Sequence, residues 1–452
     1  MKSYDIVIVG GGIAGIYTMY NLKKKYPKLK VLLLERDNRF GGRVYTYRKK
    51  LNNNDYIMDL GAGRIGFHHE LMVKLIKDLK LEKNIFPISN TENYIEYNKK
   101  TEKIIDKSNL KKKSENLLYN FFYKSKIANL SKSFLQKFYF YELLSKMLPK
   151  SIYNFIEKSF EYKNKLFYLN AYNAINYFKY DYNSYSNFFI MTNGFDSIIN
   201  KMIYKISQNK NYKLKKNSFV REITYNIDNN KYIINYNLNN TDIYIKCKTI
   251  ICALPRYDLI KFKILRDYSK YLNTINEISK VRIFEIYDKN KNGKMWFENI
   301  KKTSTNEELQ FIIPINPKSG LIMSSYNENI ITQNNYWNEL FKKGENILRE
   351  TLQKKLNKIF NIEIPESKYI KFYYWKSGVA CWKKNVDSQY ISQKILNLMP
   401  NFYICGENYS EYQAWCEGAL QTSENILNKL KCELNKTNFN KTQKMQKTRK
   451  KN

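Results

Sequence analysis

Between residues 4 and 35 the chain sets out a strand, a glycine turn, a helix and a second strand, and few folds accept that succession. Tyr4-Asp5-Ile6-Val7-Ile8-Val9 is a β-branched run of the kind buried on both faces of a parallel sheet. Gly10-Gly11-Gly12-Ile13-Ala14-Gly15 follows, helical spacing covers 13–25 and stops before Pro27, and Val31 to Leu34 is a second buried run. In such a βαβ unit Gly10, Gly12 and Gly15 serve a tight turn, a close approach of backbone to a pyrophosphate, and helix–strand packing. The helix N-terminus then faces the phosphates. Glu35 ends the second strand twenty positions after Gly15, where a carboxylate should hold a ribose hydroxyl. The fold class expected is α/β, a Rossmann-type FAD/NAD(P)-binding domain with a second α+β substrate domain.

Length supports more than one unit, since 452 residues exceed the usual single domain. The formal charge is +37, from 78 Lys+Arg and 41 Asp+Glu, which invites a nucleic-acid or anionic-surface partner. Lys, Asn, Ile and Tyr are over-used together, however, and these are the residues of A/T-rich codons. The charge is therefore read mainly as compositional, and a nucleic-acid partner is not favoured. The six cysteines (Cys247, Cys252, Cys381, Cys405, Cys416 and Cys432) form no C-x-x-C pair and read as reduced thiols. The two histidines, His68 and His69, are adjacent; on a helix they would point about 100° apart, which suits shared metal ligation poorly. No metal is expected. The apolar N-terminus is broken by Asp5 and glycines, unlike a signal peptide, and no run of roughly twenty apolar residues appears. A soluble, cytoplasmic protein is the expectation.

Residues from about 110 to 180 read as amphipathic helices, and 218–255 as a strand meander turning at Asp228-Asn229-Asn230. Further strands are expected at 280–287, 311–314, 321–326 and 369–375, a helix near 336–358, and a last helix from Trp415 to Leu430. The dinucleotide domain is expected to be discontinuous, from 1–85, 186–260 and 395–435. Residues 86–185 and 261–394 would form the substrate domain, and 436–452 a disordered basic tail.

Gly41-Gly42-Arg43 follows soon after Glu35, and here the chain resembles the flavin amine oxidase family of monoamine oxidases, polyamine oxidases and L-amino-acid oxidases. The resemblance implies FAD as cofactor, with the Gly41-Gly42 amides and the Arg43 guanidinium beside its pyrophosphate. Gly61-Ala62-Gly63-Arg64 is similar to the family's second flavin-contacting turn. Val220 and Ile223 resemble the strand meeting the adenine, and Ala253-Leu254-Pro255 the family's Ala-x-Pro. Gly406-Glu407, then Ala414-Trp415-Cys416-Glu417-Gly418-Ala419, resemble its carboxy-terminal signature, whose helix points at the flavin ring.

That resemblance also implies the chemistry: oxidation of a C–N bond of an amine or L-amino acid to an imine, with dioxygen reduced to hydrogen peroxide. Lys280 would meet flavin N5 through a water. Arg64, with His69 beyond it, looks like the L-amino-acid oxidase arginine that forks a substrate carboxylate, although Gly63 stands where methionine is usual. Trp415 and Trp382 would form an aromatic cage. Cys381 immediately precedes Trp382, as the cysteine that carries covalent FAD in monoamine oxidases precedes a cage tyrosine, but its spacing reads as a buried structural thiol. Two alternatives stay open: a desaturase or porphyrinogen-type oxidase of the same superfamily, and a flavin-bound scaffold that binds nucleic acid.

Overall fold

The computed structural model describes residues 1–88, 93–98, 126–160, 163–181, 187–327 and 331–449, with a broken run between 101 and 120. Strand β1 (Lys2–Val9) sits between β2 (Val31–Leu34) and strand Thr241–Cys252, parallel to both. Tyr212–Lys215 extends the parallel sheet beyond β2, and Phe402–Ile404 joins it beside Thr241–Cys252. The meander Ser218–Asn226, Lys231–Leu238 and Thr241–Cys252 completes the sheet with antiparallel pairs.

Alternation along the two central strands divides the interior. Ile6, Ile8, Val31 and Leu33 enter one core with helix α1 (Ile13–Lys25), helix Asp196–Ser207 and the last helix. Val7, Val9, Leu32 and Leu34 enter another, with the helices between Phe140 and Asp181. Every one of these strand residues is at most 3% exposed. At about 1.5–3 kcal/mol per fully buried aliphatic side chain, this double burial is why the runs are apolar without interruption.

A second sheet takes its strands from residues 93–106 and 275–382, ordered Tyr369–Trp382, Ile275–Ile286, Leu321–Asn327, Phe311–Asn316, Thr303–Thr305, Asn93–Asn98, Lys103–Asp106. Its longest pair is Ile275–Ile286 against Tyr369–Trp382, antiparallel.

Four expectations are corrected. The strand expected at 369–375 runs on to Trp382, because Lys376-Ser377-Gly378 forms a bulge where the pairing shifts between Ile278 and Lys280 rather than a stop. The helix expected near 336–358 is two, Ile331–Lys343 and Glu345–Phe360, parted by Gly344 at φ +133°. The last helix spans Cys416–Arg449, through most of the stretch expected as a disordered tail. No Gly or Pro follows Gly418 to stop it, although its last buried side chain among the described residues is Leu430. The histidines are not on a helix: His69 is the residue before helix Glu70–Asp78, and His68 lies in the preceding turn. Among the described residues no helix is long and apolar enough to cross a membrane.

Candidate active site

One cavity of about 1560 Å³ runs from the first glycine turn to the second sheet. At its first end two glycine turns lie back to back. The Gly41 N–H donates to the Gly11 carbonyl at 2.8 Å, and a side chain on Gly42 would begin 3.0 Å from the Gly12 Cα. Gly10 has φ +106°, and a Cβ there would meet the Ala253 carbonyl oxygen at 2.4 Å. A Cβ on Gly15 would begin 2.1 Å from the Gly10 carbonyl oxygen, so the helix can approach the strand only with glycine there. Gly12 differs: its nearest neighbour would be 3.9 Å away, on the cavity side. Gly12 is the residue before α1, and neither a side-chain cap nor an acidic residue in the first turn satisfies that helix N-terminus. The lining here is thus backbone, positively polarised and free of side chains, which fits a pyrophosphate.

Glu35 stands at the end of β2. Its Oε2 accepts from the Gly11 N–H at 2.7 Å and its Oε1 from the Asp37 N–H at 2.9 Å. Burial pushes this carboxyl up from its ordinary range, against the pull of those two amides. Val220 lines the same end.

Arg43 takes a different partner from the phosphate expected. Its Nη1 donates to Glu407 Oε2 at 2.8 Å and to the Gly378 carbonyl at 3.0 Å, and its Nη2 to Asn408 Oδ1 at 3.1 Å. Glu407 Oε1 accepts from the N–H groups of Ala380 and Ala414 at 3.0 and 2.6 Å. One buried carboxylate therefore ties the Gly41–Arg43 turn to the long strand and to the entry of the last helix. The second turn is tied in as well: the Ala62 N–H donates to the Arg43 carbonyl at 2.9 Å, and a Cβ on Gly61 would begin 1.9 Å from that oxygen. Gly63, Gly406 and Ala419 line the cavity beside these turns.

At the second end, Lys280, Arg282 and Phe284 alternate along strand Ile275–Ile286 and all face the cavity. Lys280 lays its stem across Gly378, where a Cβ would begin 2.6 Å away, and its Nζ donates to the Tyr326 hydroxyl at 3.2 Å. Trp375, paired with Lys280 across the sheet, faces the same space, with its Nε1 donating to the Leu60 carbonyl at 2.7 Å.

Arg64 lies over two aromatic rings, its Cζ 4.8 Å from the Phe188 centroid and 5.5 Å from that of Trp415. Phe188 and Trp415 are stacked at 5.6 Å. Trp415 is in turn held by Asp181, whose Oδ2 accepts from its Nε1 at 2.6 Å. Asp181 Oδ1 accepts from the Tyr412 hydroxyl at 2.8 Å and lies 3.0 and 3.6 Å from the Nε2 atoms of His68 and His69. Burial alone would raise this carboxyl, but the hydrogen bond from His68, the nearby His69 ring and the hydrogen bond from Tyr412 hold it at about 2. The ligand atoms of His68, His69 and Asp181 lie within 4.8 Å of one another. The Gly66 N–H donates to His69 Nδ1, however, which puts the proton of the neutral ring on Nε2, and Tyr412 already bonds Asp181 Oδ1. The cluster reads as a hydrogen-bond hub rather than a cation site. Nothing in the sequence near Asp181 marked it; only the return of helix Ala171–Asp181 to the cavity does.

Trp382 is the site expectation that the structure overturns. It is fully buried in the core beyond the cavity, with its Nε1 donating to the Ser410 carbonyl at 3.0 Å. Trp375 and Trp382 stand seven positions apart on one strand, so alternation turns them to opposite faces, Trp375 to the cavity and Trp382 to the core. Cys381 is also outside the lining, buried 3.9 Å from the Asn164 carbonyl. The cysteine that does line the cavity is Cys416, whose thiol burial pushes up to about 12.

A protein-family model described as flavin containing amine oxidoreductase matches residues 13–425. An uncharacterized protein of Acanthamoeba polyphaga mimivirus is 24% identical over 94% of this chain and 93% of its own length. Coproporphyrinogen III oxidase of Staphylococcus aureus is 33% identical over 91 residues, covering 20% of this chain and 19% of that protein. A mutant putrescine oxidase of known structure shares the fold, with a TM-score of 0.71 at 14% identity over 96% of this chain and 99% of that one. The chain belongs to the flavin-containing amine oxidoreductase family, and FAD is its cofactor.

Proposed function

We propose that the protein is an FAD-dependent oxidase of amino acids, its substrate carrying a carboxylate next to the C–N bond that is oxidised. The observation that carries this reading is Arg64, a guanidinium at the cavity wall stacked over Phe188 and Trp415. Stacking fixes the plane of the fork, and a fixed fork matches a carboxylate bidentately. The same stacking disfavours an amine cation, because the aromatic quadrupoles that would attract it already face arginine.

Bound FAD would supply the redox chemistry, by which the C–N bond loses two electrons and two protons to give an imine and dioxygen gains them as hydrogen peroxide. The chain's own residues supply position and field. Gly12 and the uncapped start of α1 would hold the FAD pyrophosphate and Glu35 its ribose, and the Gly61–Arg64 turn and Lys280 line the remainder of the same cavity. Trp415 and Trp375 would wall the substrate space. A porphyrinogen substrate is the second reading, drawn from the coproporphyrinogen III oxidase match.

An anaerobic screen of amino acids, their decarboxylated amines and porphyrinogens, followed by flavin bleaching, tests the reading. Amino acids should bleach the flavin while the matching amines fail. Arg64→Met should lower kcat/KM about a hundredfold or more with FAD retained. Bleaching by amines alone would return Arg64 to a structural role.

A further inference from the structure

We propose that Lys165 and Cys381 form an oxidation site, at which hydrogen peroxide joins the lysine Nζ to the cysteine Sγ by a reversible S–N bond. The inference goes beyond the amino-acid reading above and takes from it only a source of peroxide. Lys165, on helix Lys163–Tyr168, is 1% exposed, and Cys381, one residue before the end of strand Tyr369–Trp382, is fully buried. The Lys165 Nζ lies 4.0 Å from the Cys381 Sγ, although the two residues are 216 positions apart. Lysine is rarely buried so far, and here its stem leads the amine to a sulfur, with the Tyr177 ring centroid 4.8 Å from the nitrogen. An amine and a thiol are both nucleophiles, and they join only once oxidation has made the sulfur an electrophile.

Both backbones are pinned beside the pair. The Asn170 N–H donates to the Trp382 carbonyl at 3.0 Å and its Nδ2 to the Lys383 carbonyl at 3.1 Å, while Asn276 Nδ2 donates to the Tyr168 carbonyl at 3.1 Å. Amine and sulfur are thus held together before any reaction, which removes the entropic cost of bringing them into contact. Tyr177, the ring against the Lys165 amine, also lines the cavity, so the pair lies one side chain behind the wall where peroxide would be released. The step balances as written. Peroxide oxidises the Cys381 thiol by two electrons to a sulfenic acid, its O–O bond breaking to give one water. The Lys165 nitrogen then attacks the sulfur, the S–O bond breaks, and the departing hydroxide takes a proton from nitrogen as a second water.

The test treats the FAD-loaded full chain with added hydrogen peroxide, alkylates the remaining thiols after denaturation, and maps the peptides by mass spectrometry without reductant. The expected product is a peptide pair joining Lys165 to Cys381, lighter than its two parts by two hydrogens, which dithiothreitol separates. Cys247, whose thiol burial pushes up to about 12, should stay reduced and alkylate as before. Lys165→Arg keeps the charge but supplies no amine, so the pair should vanish and Cys381 should persist as a sulfenic acid that dimedone traps. The wild-type map decides alone if that variant loses Tm. Three results would each overturn the proposal: Cys381 still fully alkylated when the exposed Cys432 is oxidised, Cys381 passing to the sulfinic acid without a bridge, or a bridge that keeps an oxygen atom between nitrogen and sulfur. Because the peroxide is added, failure of the amino-acid screen leaves the bridge standing, and failure of the bridge leaves the substrate reading untouched.

Discussion

The two ends of the cavity are built differently. The end at the glycine turns is backbone: Gly10 to Gly15 and Gly41 to Gly42 come from one short stretch of chain, and their contacts are carbonyls, amides and Cα atoms. The other end is side chains, and they come from far apart: Arg64, Lys280, Arg282, Tyr326, Trp375 and Trp415 line it, with Phe188 and Asp181 behind them. A backbone site tolerates almost no side chain but asks little of the rest of the fold. A side-chain site depends on the register of every element that contributes to it.

Removing the hub under the side-chain end should have the largest effect. Asp181→Ala strips an acceptor from Trp415, Tyr412 and His68 at once, and should cost about 3–5 kcal/mol, read as a lowered Tm and denaturation midpoint. The pH dependence follows from the same carboxyl. Its folded pKa of about 2 lies below the ordinary 3.8, so its stabilisation is present above pH ~4 and lost as pH falls through 2. By linkage that is about 2 kcal/mol. The stability gap between wild type and Asp181→Asn should narrow over that window, and a constant gap would remove the assigned pKa.

The backbone end can be broken selectively. Gly15→Ala drives a methyl into the Gly10 carbonyl and should cost about 1–3 kcal/mol of stability together with FAD retention. Gly12→Ala meets no protein atom closer than 3.9 Å, so it should keep its Tm in the apoprotein and lose only FAD affinity. Equal loss of apoprotein Tm in both would mean that Gly12 is a packing glycine and not the phosphate face.

Smaller effects sharpen the substrate end. Lys280→Met should leave FAD bound and slow flavin reduction or its reoxidation about tenfold, roughly 1.4 kcal/mol of barrier. Unchanged stopped-flow rates in both half-reactions would make Lys280 only a partner for Tyr326. Trp382→Phe removes one buried hydrogen bond, about 1 kcal/mol of stability, and should leave KM alone, whereas Trp415→Phe should raise KM. A KM change in Trp382→Phe would restore it to the cavity.

The two ends also differ in how far they could be read from residues alone. The first βαβ unit, the Glu35 acid and the turns at 41–43 and 61–64 were legible because their requirement is local: a glycine is needed where a Cβ would collide a few residues away. The strand ending at Trp382 was not, because Lys376-Ser377-Gly378 reads as a break in isolation and becomes a bulge only when paired with Ile275–Ile286. On that single strand Trp375 and Trp382, seven positions apart, face opposite sides, and Trp375 is the one that lines the cavity. Likewise, adjacent histidines look divergent on a helix, yet in the turn before helix Glu70–Asp78 both rings reach Asp181.

By itself, then, the sequence determined the parallel sheet, the dinucleotide turn and the family to which they belong. Apolar runs and glycine spacing express short-range sterics and burial that hold wherever the segment is placed. Tertiary structure alone decided which aromatics wall the substrate space, that Arg43 pairs with Glu407, and that Asp181 anchors Trp415. Those contacts join residues as many as 364 positions apart, and no local pattern records a partner that only sheet register and helix docking bring within reach.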